Sequence, residues 1–416
     1  MALRSCRPRI PLRVLAVIIA IISTIFLAAR LYKEMRSGPN PYPRKRHDFQ
    51  ESADIQERAD FHNERLDSKG RRRSILVIAH GRSGSTITGE IFNHHPSVFY
   101  LHEPLQTVER ISKQNGSNKD RYASLMINIL SNILRCNFSQ AVLEDFDHFY
   151  REPSHSRASC AIGSPPLCPH EMTDPKWDLK LCLPLTNKSL GTTCRNKYAV
   201  TVAKILMSRI AGNDIKNILE ACRKSKSNCQ IIFLIKDPRA VIPSSRSVGF
   251  SSDRGSLLSK DGLRLFSYQN CKQTEDNLVF LKNLPLSWRR RILVQRYEDF
   301  AVNPLKVMSR LYDFAGLPVL DHVKIWLNKS THPSKKREDM LIEGSPDFFM
   351  MDDASATADR WRWKVHPHDI DVIEHYCKNV MQIMGYIPIN NDEDLMANVT
   401  TPLFSEDYEA KKWFPN

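Results

Sequence analysis

A short segment near residue 80 contains the residue types that bind an anion. It reads Gly81-Arg82-Ser83-Gly84-Ser85-Thr86, in which the glycines permit close approach, the arginine supplies a charged fork and the hydroxyl side chains supply donors. Where a chain passes from a strand into a helix, backbone N–H groups converge on one point. We therefore interpret the segment as an anion-binding loop whose ligand is a phosphate. A plain Gly/Ser turn between a core strand and a core helix is the alternative.

The loop differs from the phosphate loop of nucleotide triphosphatases. Their GxxxxGK[ST] pattern has more residues between its glycines and a lysine before the final hydroxyl residue. The shorter loop in this chain suits a ligand that is held by a terminal phosphate.

A second basic segment, KDPRAVIPSSR, runs from Lys236 to Arg246. Lys236 ends an apolar run and Ser244 follows about two helical turns later, so both are placed to hold another phosphate, with Arg239 nearby. Two phosphate sites on one edge suit a ligand that is phosphorylated at both ends. A DPR turn with ordinary surface arginines is the alternative.

Both segments follow predicted strands, and the intervening sequence predicts helices. Short apolar runs predict strands at 75–79, 98–101, 198–205, 229–236 and 292–297, and helical spacing recurs at 86–92, 121–135, 213–223, 302–315 and 369–383. This alternation predicts an α/β fold with a parallel sheet covered on both faces. In such sheets ligands bind beyond the carboxyl ends of the strands, which is where both basic segments lie.

The N-terminal region predicts a membrane anchor. Residues 14–29 carry no charge, and the segment 12–32 is close to the length that spans a bilayer. Four arginines precede it, which predicts a cytoplasmic tail over 1–11 and the remainder on the far side of the membrane. A charged stem is expected at 33–73 and a single large domain at 74–416. A cleaved signal peptide is the alternative, although no clear small-residue cleavage site is present.

Two features of the remaining sequence agree with a lumenal domain. Nine of the ten cysteines lie beyond the predicted span, and disulfides are their expected use. Because nine is odd, at least one thiol stays free or pairs between chains, as in a disulfide-linked homodimer. Five glycosylation motifs also follow the span, at Asn115, Asn137, Asn187, Asn328 and Asn398.

Net charge narrows the class of ligand. The chain has 60 Lys and Arg against 46 Asp and Glu, a formal charge of +14, which favours polyanionic partners. Location decides between nucleic acid and an acidic polysaccharide, and a lumenal domain excludes nucleic acid. A metal site at Cys160, Cys168 and His170 is less favoured than disulfides, because closely spaced zinc-type pairs are absent.

Five motifs together resemble the Golgi carbohydrate 6-O-sulfotransferases that act on galactose, N-acetylgalactosamine or N-acetylglucosamine. In chain order they are GRSGST, FNHHPSVFYLHEPL, IKDPRAVIPSSR, QRYEDFAVNP and ADRWRWK. The resemblance runs from about Ser74 to Tyr386. It implies a P-loop-like three-layer α/β sandwich, a Golgi membrane location and 3′-phosphoadenosine-5′-phosphosulfate as the sulfuryl donor. The acceptor expected from the resemblance and the basic surface is a glycan such as keratan or chondroitin.

The resemblance also implies roles for residues in the two basic segments. The loop Gly81–Thr86 would bind the 5′-phosphosulfate, with Arg82 as the key basic residue. Lys236 and Ser244 would bind the 3′-phosphate. Lys236 departs from the family, which usually has arginine there, so the charge is kept while the bidentate fork is lost.

Later motifs have less certain roles. Trp361 and Arg362 match the WR element that the family has near the cofactor. The RYED segment at Arg296, Tyr297 and Glu298 is interpreted as structural.

Transfer to a sugar hydroxyl needs a base, and Glu103 is the candidate. It lies in a His-Glu-Pro element that matches the family's Glu-Pro, at the end of a strand that we expect beside the loop strand. His102 is the second candidate. A purely structural Glu103, paired with a nearby arginine, is the alternative. No metal is expected, since arginine supplies the countercharge for the sulfuryl group.

Two other functions fit parts of the sequence. Lumenal glycosyltransferases often bind a metal and nucleotide through D-x-D, and the sequences at 145–147 and 369–371 have this form. Neither follows a convincing buried strand, and the second lies at a predicted helix start, where aspartates cap. A catalytically silent polyanion-binding module with the same fold is the other possibility.

Overall fold

A computed structural model describes residues 70–116, 118–248, 259–331 and 354–415. The described residues fall in one compact unit. No helix in these ranges is long and apolar enough to cross a membrane. The predicted tail, membrane span and nearly all of the predicted stem lie outside the described residues.

A single sheet of five parallel strands forms the centre of the domain. The strands are β1 (Arg73–Ala79), β2 (Val98–His102), β3 (Val200–Leu206), β4 (Asn228–Ile235) and β5 (Ile292–Arg296), in the order β2-β3-β1-β4-β5. All four neighbouring pairs are parallel, so every strand ends at the same edge. The predicted α/β fold with a parallel sheet is confirmed.

Helices connect the strands and cover the sheet. In the part before β4 they are α1 (Ser85–Asn93), α2 (Leu105–Gln114), α3 (Lys119–Ile133), α4 (Gln140–Leu143), α5 (Phe146–Tyr150), α6 (Asn187–Lys197) and α7 (Lys216–Ser225). After β4 they are α8 (Pro238–Ser247), α9 (Lys260–Lys282), α10 (Leu286–Arg289), α11 (Tyr297–Val302), α12 (Pro304–Ala315), α13 (Asp321–Thr331), α14 (Ala354–Asp359), α15 (Trp361–Lys364), α16 (Pro367–Met384), α17 (Glu393–Ala397) and α18 (Glu409–Trp413).

Side chains of the central strand alternate between two apolar cores. Leu76 and Ile78 join the core on one face of the sheet, and Ile75 and Val77 join the core on the other. A strand points successive side chains to opposite faces, so a continuous apolar run such as β1 belongs in a sheet covered on both sides. This burial fixes the register of β1 and hence the position of the loop that follows it.

Observed and predicted elements agree in the strands and differ in some helices. Each predicted strand is present, with its ends shifted by at most two residues. The 23-residue helix α9 was not predicted, because its buried positions are interspersed with polar side chains over its length. The predicted helix at 302–315 starts later, at Pro304, because Asn303 caps α12 through a bond from the Lys306 N–H.

Four disulfide bonds cross-link the described part of the domain, which confirms the prediction that the cysteines form disulfides. They join Cys136 to Cys194, Cys168 to Cys182, Cys222 to Cys229, and Cys271 to Cys377. Among the described cysteines Cys160 alone is free, in agreement with the odd count. Because Cys168 is bonded to Cys182, the Cys160, Cys168 and His170 alternative loses one of its three ligands.

Removal of the bond between α9 and α16 should cost more stability than removal of the bond before β4. Cys271–Cys377 closes a loop with a sequence separation of 106, whereas Cys222–Cys229 closes one of 7. Loop-closure entropy predicts that the Cys271→Ala/Cys377→Ala variant loses about 2 kcal/mol more unfolding free energy than Cys222→Ala/Cys229→Ala. All four cysteines are buried, so the two double variants lose similar side-chain packing. Equal losses in urea unfolding would contradict this.

Candidate active site

The carboxyl ends of all five strands meet at one edge of the sheet, and the predicted anion-binding residues lie there. β1 ends at Ala79 and leads into the Gly81–Thr86 loop, which turns into α1. β4 ends at Ile235 and leads through Lys236 into α8. β1 and β4 are hydrogen-bonded neighbours, so the two basic segments emerge side by side.

The loop has the backbone of an anion-binding turn. Gly84 caps the start of α1 in the left-handed region, with φ 79°, and Arg82 also has a positive φ of 68°. No side chain in the described part of the chain caps this helix start, so the N–H groups of its first turn keep the electrostatic preference for an anion. Ser83 and Ser85 are buried beneath the turn. An arginine with left-handed backbone angles is uncommon, and the conformation persists only where surrounding contacts enforce it.

A direct hydrogen bond joins the two basic segments. Arg82 donates from Nε to Oγ of Ser244 over 2.9 Å. Close by, Ser245 donates from Oγ to the carbonyl of Gly81 over 3.4 Å. The structure therefore brings together residues 162 positions apart, as two anion sites for one ligand require.

Lys236 is buried and faces the same edge. Its Nζ lies 4.1 Å from the centroid of the Tyr297 ring and donates to the carbonyl of Thr357 over 3.4 Å. Burial lowers the pKa of Lys236 to about 8, and the nearby charge of Arg82 contributes, while Glu298 and Asp237 oppose the change. A buried ammonium with a cationic neighbour would gain from an anionic ligand.

Tyr297, interpreted from the sequence as structural, contacts both basic segments. Its ring lies beneath Lys236 and against Gly84, so closely that a Cβ at Gly84 would stand 2.2 Å from a ring carbon. Arg296 agrees with the structural interpretation, since it is fully buried and paired with Asp299. The position of Tyr297 directly after β5, in the edge that carries both segments, was the available sequence signal.

Glu103 lies in a buried cluster of charged groups. One carboxylate oxygen, Oε1, contacts Lys204 Nζ and lies 3.3 Å from His102 Nε2. The other, Oε2, accepts from Arg209 Nε over 3.2 Å and from Gln106 Nε2 over 3.3 Å. Glu103 also has a positive φ, 50°, so both the key loop arginine and the candidate base sit in left-handed backbone.

The charge states in this cluster follow from burial and from neighbouring charges. Burial raises the pKa of Glu103, but the His102 hydrogen bond and the Lys204 charge outweigh it and hold that pKa well below the usual range. Burial lowers the pKa of His102 to about 4, and Lys204 adds to this. Glu103 is therefore ionised and His102 neutral at neutral pH.

One expectation about Glu103 was wrong. Its strand, β2, is not beside the loop strand, because β3 lies between β2 and β1. A crossover helix can return the chain beside the previous strand, as between β4 and β5, or one position further, as between β1 and β2, and no local pattern specifies which. The inserted strand brings Lys204, at a register position opposite His102, into the cluster. Sequence reasoning missed Lys204, a lone lysine inside an apolar run, although such a charge is costly to bury without a partner.

Comparison with known proteins identifies the family to which this chain belongs. Residues 72–385 match the family model described as sulfotransferase domain. The chain belongs to the sulfotransferase family. It is an enzyme of that class, and the resemblance stated from its motifs is confirmed.

Sequence alignments with relatives extend over most of the length of this sulfotransferase. It is 26% identical to carbohydrate sulfotransferase 3 of Mus musculus over 81% of this chain and 72% of that protein. It is 28% identical to carbohydrate sulfotransferase 1 of Danio rerio over 79% of this chain and 81% of that protein. A solved sulfotransferase domain from the curacin biosynthetic pathway aligns with 18% identity, a TM-score of 0.42, and coverage of 74% of this chain and 98% of that one.

Three of the predicted cofactor residues lie in the interior of the sulfotransferase. Arg239 is fully buried, is ion-paired with Asp237 and Glu374, and lies 4.3 Å from the Trp361 ring centroid. Arg362 donates to two main-chain carbonyls, those of residues 398 and 401, over 2.7 and 2.8 Å. These three side chains pack among elements around the site, and their contact with a cofactor stays a prediction.

The first D-x-D sequence forms ion pairs, and the second lies at the start of a helix. Asp145 pairs with Arg110 over 2.6 Å and Asp147 with Arg151 over 3.0 Å. Asp369 lies in the first turn of α16. Within the described ranges, no group of three or more His, Cys, Asp or Glu side chains is arranged to hold a metal ion.

Gly84→Ala should disrupt the loop by more than its backbone strain alone. A Cβ there would clash with Tyr297, whereas one at Gly212, with a similar φ of 65°, would meet nothing within 4 Å. We expect Gly212→Ala to lower the free energy of unfolding by about 1 kcal/mol and Gly84→Ala by about 2–4 kcal/mol, with weaker donor binding in the latter alone. Urea unfolding and donor titration measure both. Equal losses would show that the contact with Tyr297 is unimportant.

Proposed function

We propose that this sulfotransferase transfers the sulfuryl group of 3′-phosphoadenosine-5′-phosphosulfate to a sugar hydroxyl, at the 6-position of galactose, N-acetylgalactosamine or N-acetylglucosamine. The observation that carries the proposal is the 2.9 Å bond between Arg82 and Ser244, which joins the two proposed anion sites at one sheet edge. The residues present fit a nucleotide phosphorylated at both ends. The Gly81–Thr86 loop would hold the 5′ end, and Lys236 with Ser244 would hold the 3′-phosphate.

The donor, when bound, supplies an activated sulfuryl group on a phosphate leaving group. Arg82 and the N–H groups at the start of α1 would bind that phosphate and stabilise the negative charge that grows on it. One S–O bond to the leaving phosphate breaks while another forms to the acceptor oxygen, in line with it. Tyr297 would keep the loop and the Lys236 ammonium at a fixed separation.

The acceptor hydroxyl must lose its proton as it attacks, and we propose Glu103 as the group that receives it. Glu103 is ionised and held by several donors, so its position is defined, although its low pKa makes it a weak base. Lys204 lies on β3, between the base and the loop strand, and orients the carboxylate. His102 is the alternative base, and its Nδ1 is buried without a hydrogen-bond partner among the residues that the structure describes.

An acidic glycan is the proposed acceptor. The names of the relatives, which are carbohydrate sulfotransferases 1 and 3, support a carbohydrate. The net charge of +14 supports one that carries sulfate or carboxylate, such as keratan or chondroitin.

The predicted N-terminal anchor supports a location of this chemistry in the Golgi lumen. The five glycosylation acceptors, Asn115, Asn137, Asn187, Asn328 and Asn398, all have exposed side chains in the structure. We expect the full chain expressed in animal cells to lose apparent mass on treatment with an N-glycosidase, and to resist protease in sealed vesicles. An unchanged mass together with digestion would overturn the lumenal location.

Lys236 should make donor affinity sensitive to alkaline pH. Because its pKa is about 8, the free enzyme loses this positive charge as pH rises through that value, and the KM for the donor should rise above pH 8. Lys236→Arg stays charged and should keep this KM constant up to pH 9. At pH 7, Lys236→Ala should raise the donor KM by about 10- to 100-fold, whereas the exposed control Lys224→Ala should not. The same alkaline rise in Lys236→Arg would exclude Lys236 from the donor site.

Glu103→Gln should lower kcat by about 100- to 10,000-fold if Glu103 is the base. Glu109→Gln is the matched control, since Glu109 pairs with the same Arg209 and has no proposed proton transfer. Thermal unfolding must be measured in parallel, because the Glu103→Gln substitution leaves Lys204 without its anion. An active, folded Glu103→Gln enzyme, with activity lost in His102→Asn, would assign the base to His102 instead.

A further inference from the structure

Arg157 is a cation that lies beside the candidate base and interacts with its charge. The residue lies in the connection after α5 and is half-buried, with its guanidinium 4.7 Å from the centroid of the Phe149 ring. Nη1 donates to Oε1 of Gln106 over 2.8 Å. Among the described residues no carboxylate forms an ion pair with it, and Nε and Nη2 keep accessible surface without a hydrogen-bond partner.

A single amide side chain connects Arg157 to Glu103. Gln106 accepts from Arg157 with its oxygen and donates from Nε2 to Oε2 of Glu103 over 3.3 Å. The amide fixes one end of the guanidinium and leaves the other edge, Nε and Nη2, as a two-donor fork. A fork of this kind matches the geometry of a carboxylate or a sulfate.

The cluster around Glu103 holds more positive than negative charge. Lys204, Arg209 and Arg157 contribute three cations, whereas Glu103 and Glu109 contribute two carboxylates. Burial lowers the pKa of Lys204, Glu103 opposes this, and the two arginines lower it further, so the cations repel one another. A partly buried excess charge is stabilised by an added anion.

We infer that Arg157 binds an anionic substituent of the acceptor glycan, a sulfate or carboxylate on or next to the sugar that receives the new sulfate. This inference rests on the proposed function. It adds a specificity-determining residue that favours acidic over neutral acceptors of the same sugar sequence.

The position of Arg157 favours the acceptor over the donor as the source of the anion. Its partner Gln106 lies in α2, directly after β2, which is the edge strand of the sheet. The donor sites follow β1 and β4, and β3 separates them from β2. Through Gln106, Arg157 is therefore anchored at the β2 end of the sheet edge, whereas Lys236 follows β4.

The test compares acceptors of one sugar sequence with and without their anionic group, and the sulfated carbon is mapped in each product because carboxyl reduction and desulfation each leave a new hydroxyl. Chondroitin oligosaccharides and their carboxyl-reduced counterparts, with sulfated and desulfated keratan oligosaccharides as a second pair, would be assayed with saturating donor. We expect the wild-type enzyme to have a lower KM for at least one anionic member, and Arg157→Ala to raise that KM by about 10- to 100-fold. The KM for the neutral member and for the donor should stay unchanged, and Arg157→Lys should retain part of the preference.

Controls separate this role from a structural one. Arg121→Ala removes an exposed cation from α3 and should change no KM. Calorimetric titration of the anionic oligosaccharide without donor should show the same loss of affinity in Arg157→Ala, with Tm checked for each variant. If Arg157→Ala is unfolded, Arg157→Gln replaces it.

Three results would overturn the inference. They are an equal rise in KM for the charged and the neutral acceptor, a rise in the donor KM, and no change in the preference of a folded variant. In each of these cases the wild-type enzyme is active and the proposed function stands. A wild-type enzyme that sulfates none of these glycans would instead overturn the proposed function and, with it, this inference.

Discussion

Contact between the Tyr297 ring and Gly84 is the constraint on which the candidate donor site depends. The ring fills the space where any side chain at position 84 would lie, and Lys236 Nζ lies 4.1 Å from the ring centroid. One aromatic side chain from the end of β5 therefore sets the separation of the β1 loop and the β4 end. Because the ring accepts a cation on its face, it offsets part of the cost of burying the lysine.

The candidate acceptor side of the site depends on charge balance instead of shape. Glu103 is buried with Lys204 and Arg209 around it, so its carboxylate is ionised and fixed. Arg157 leaves the group with one cation in excess. The same surplus that keeps Glu103 ionised would also favour the binding of an acidic sugar. Catalytic geometry and acceptor preference would therefore have a common physical origin.

The rest of the domain keeps these groups in place. Arg239 and Arg296 are fully buried cations, each held by carboxylates and by main-chain carbonyls near the C-terminal end of α16. The disulfide between Cys271 and Cys377 ties that helix to α9. Arg239, which the sequence placed near a phosphate, thus has carboxylate partners inside the domain, as Arg296 does. Removal of one partner from such a buried ion pair leaves the other charge unpaired, which strongly destabilises the folded protein.

From the sequence alone, the strands, the parallel α/β class, the use of the cysteines and the two basic segments could be predicted. These features depend on local patterns: apolar runs, helical spacing, and glycines next to hydroxyl and basic side chains. The helix α9 was not predicted, because polar residues are interspersed among the apolar residues of its buried face. Only the tertiary structure decided the strand order, which placed β3 and Lys204 between Glu103 and the loop, and decided which arginines face the site. Strand order and side-chain partners arise from contacts between residues far apart in the chain, and no local pattern specifies them.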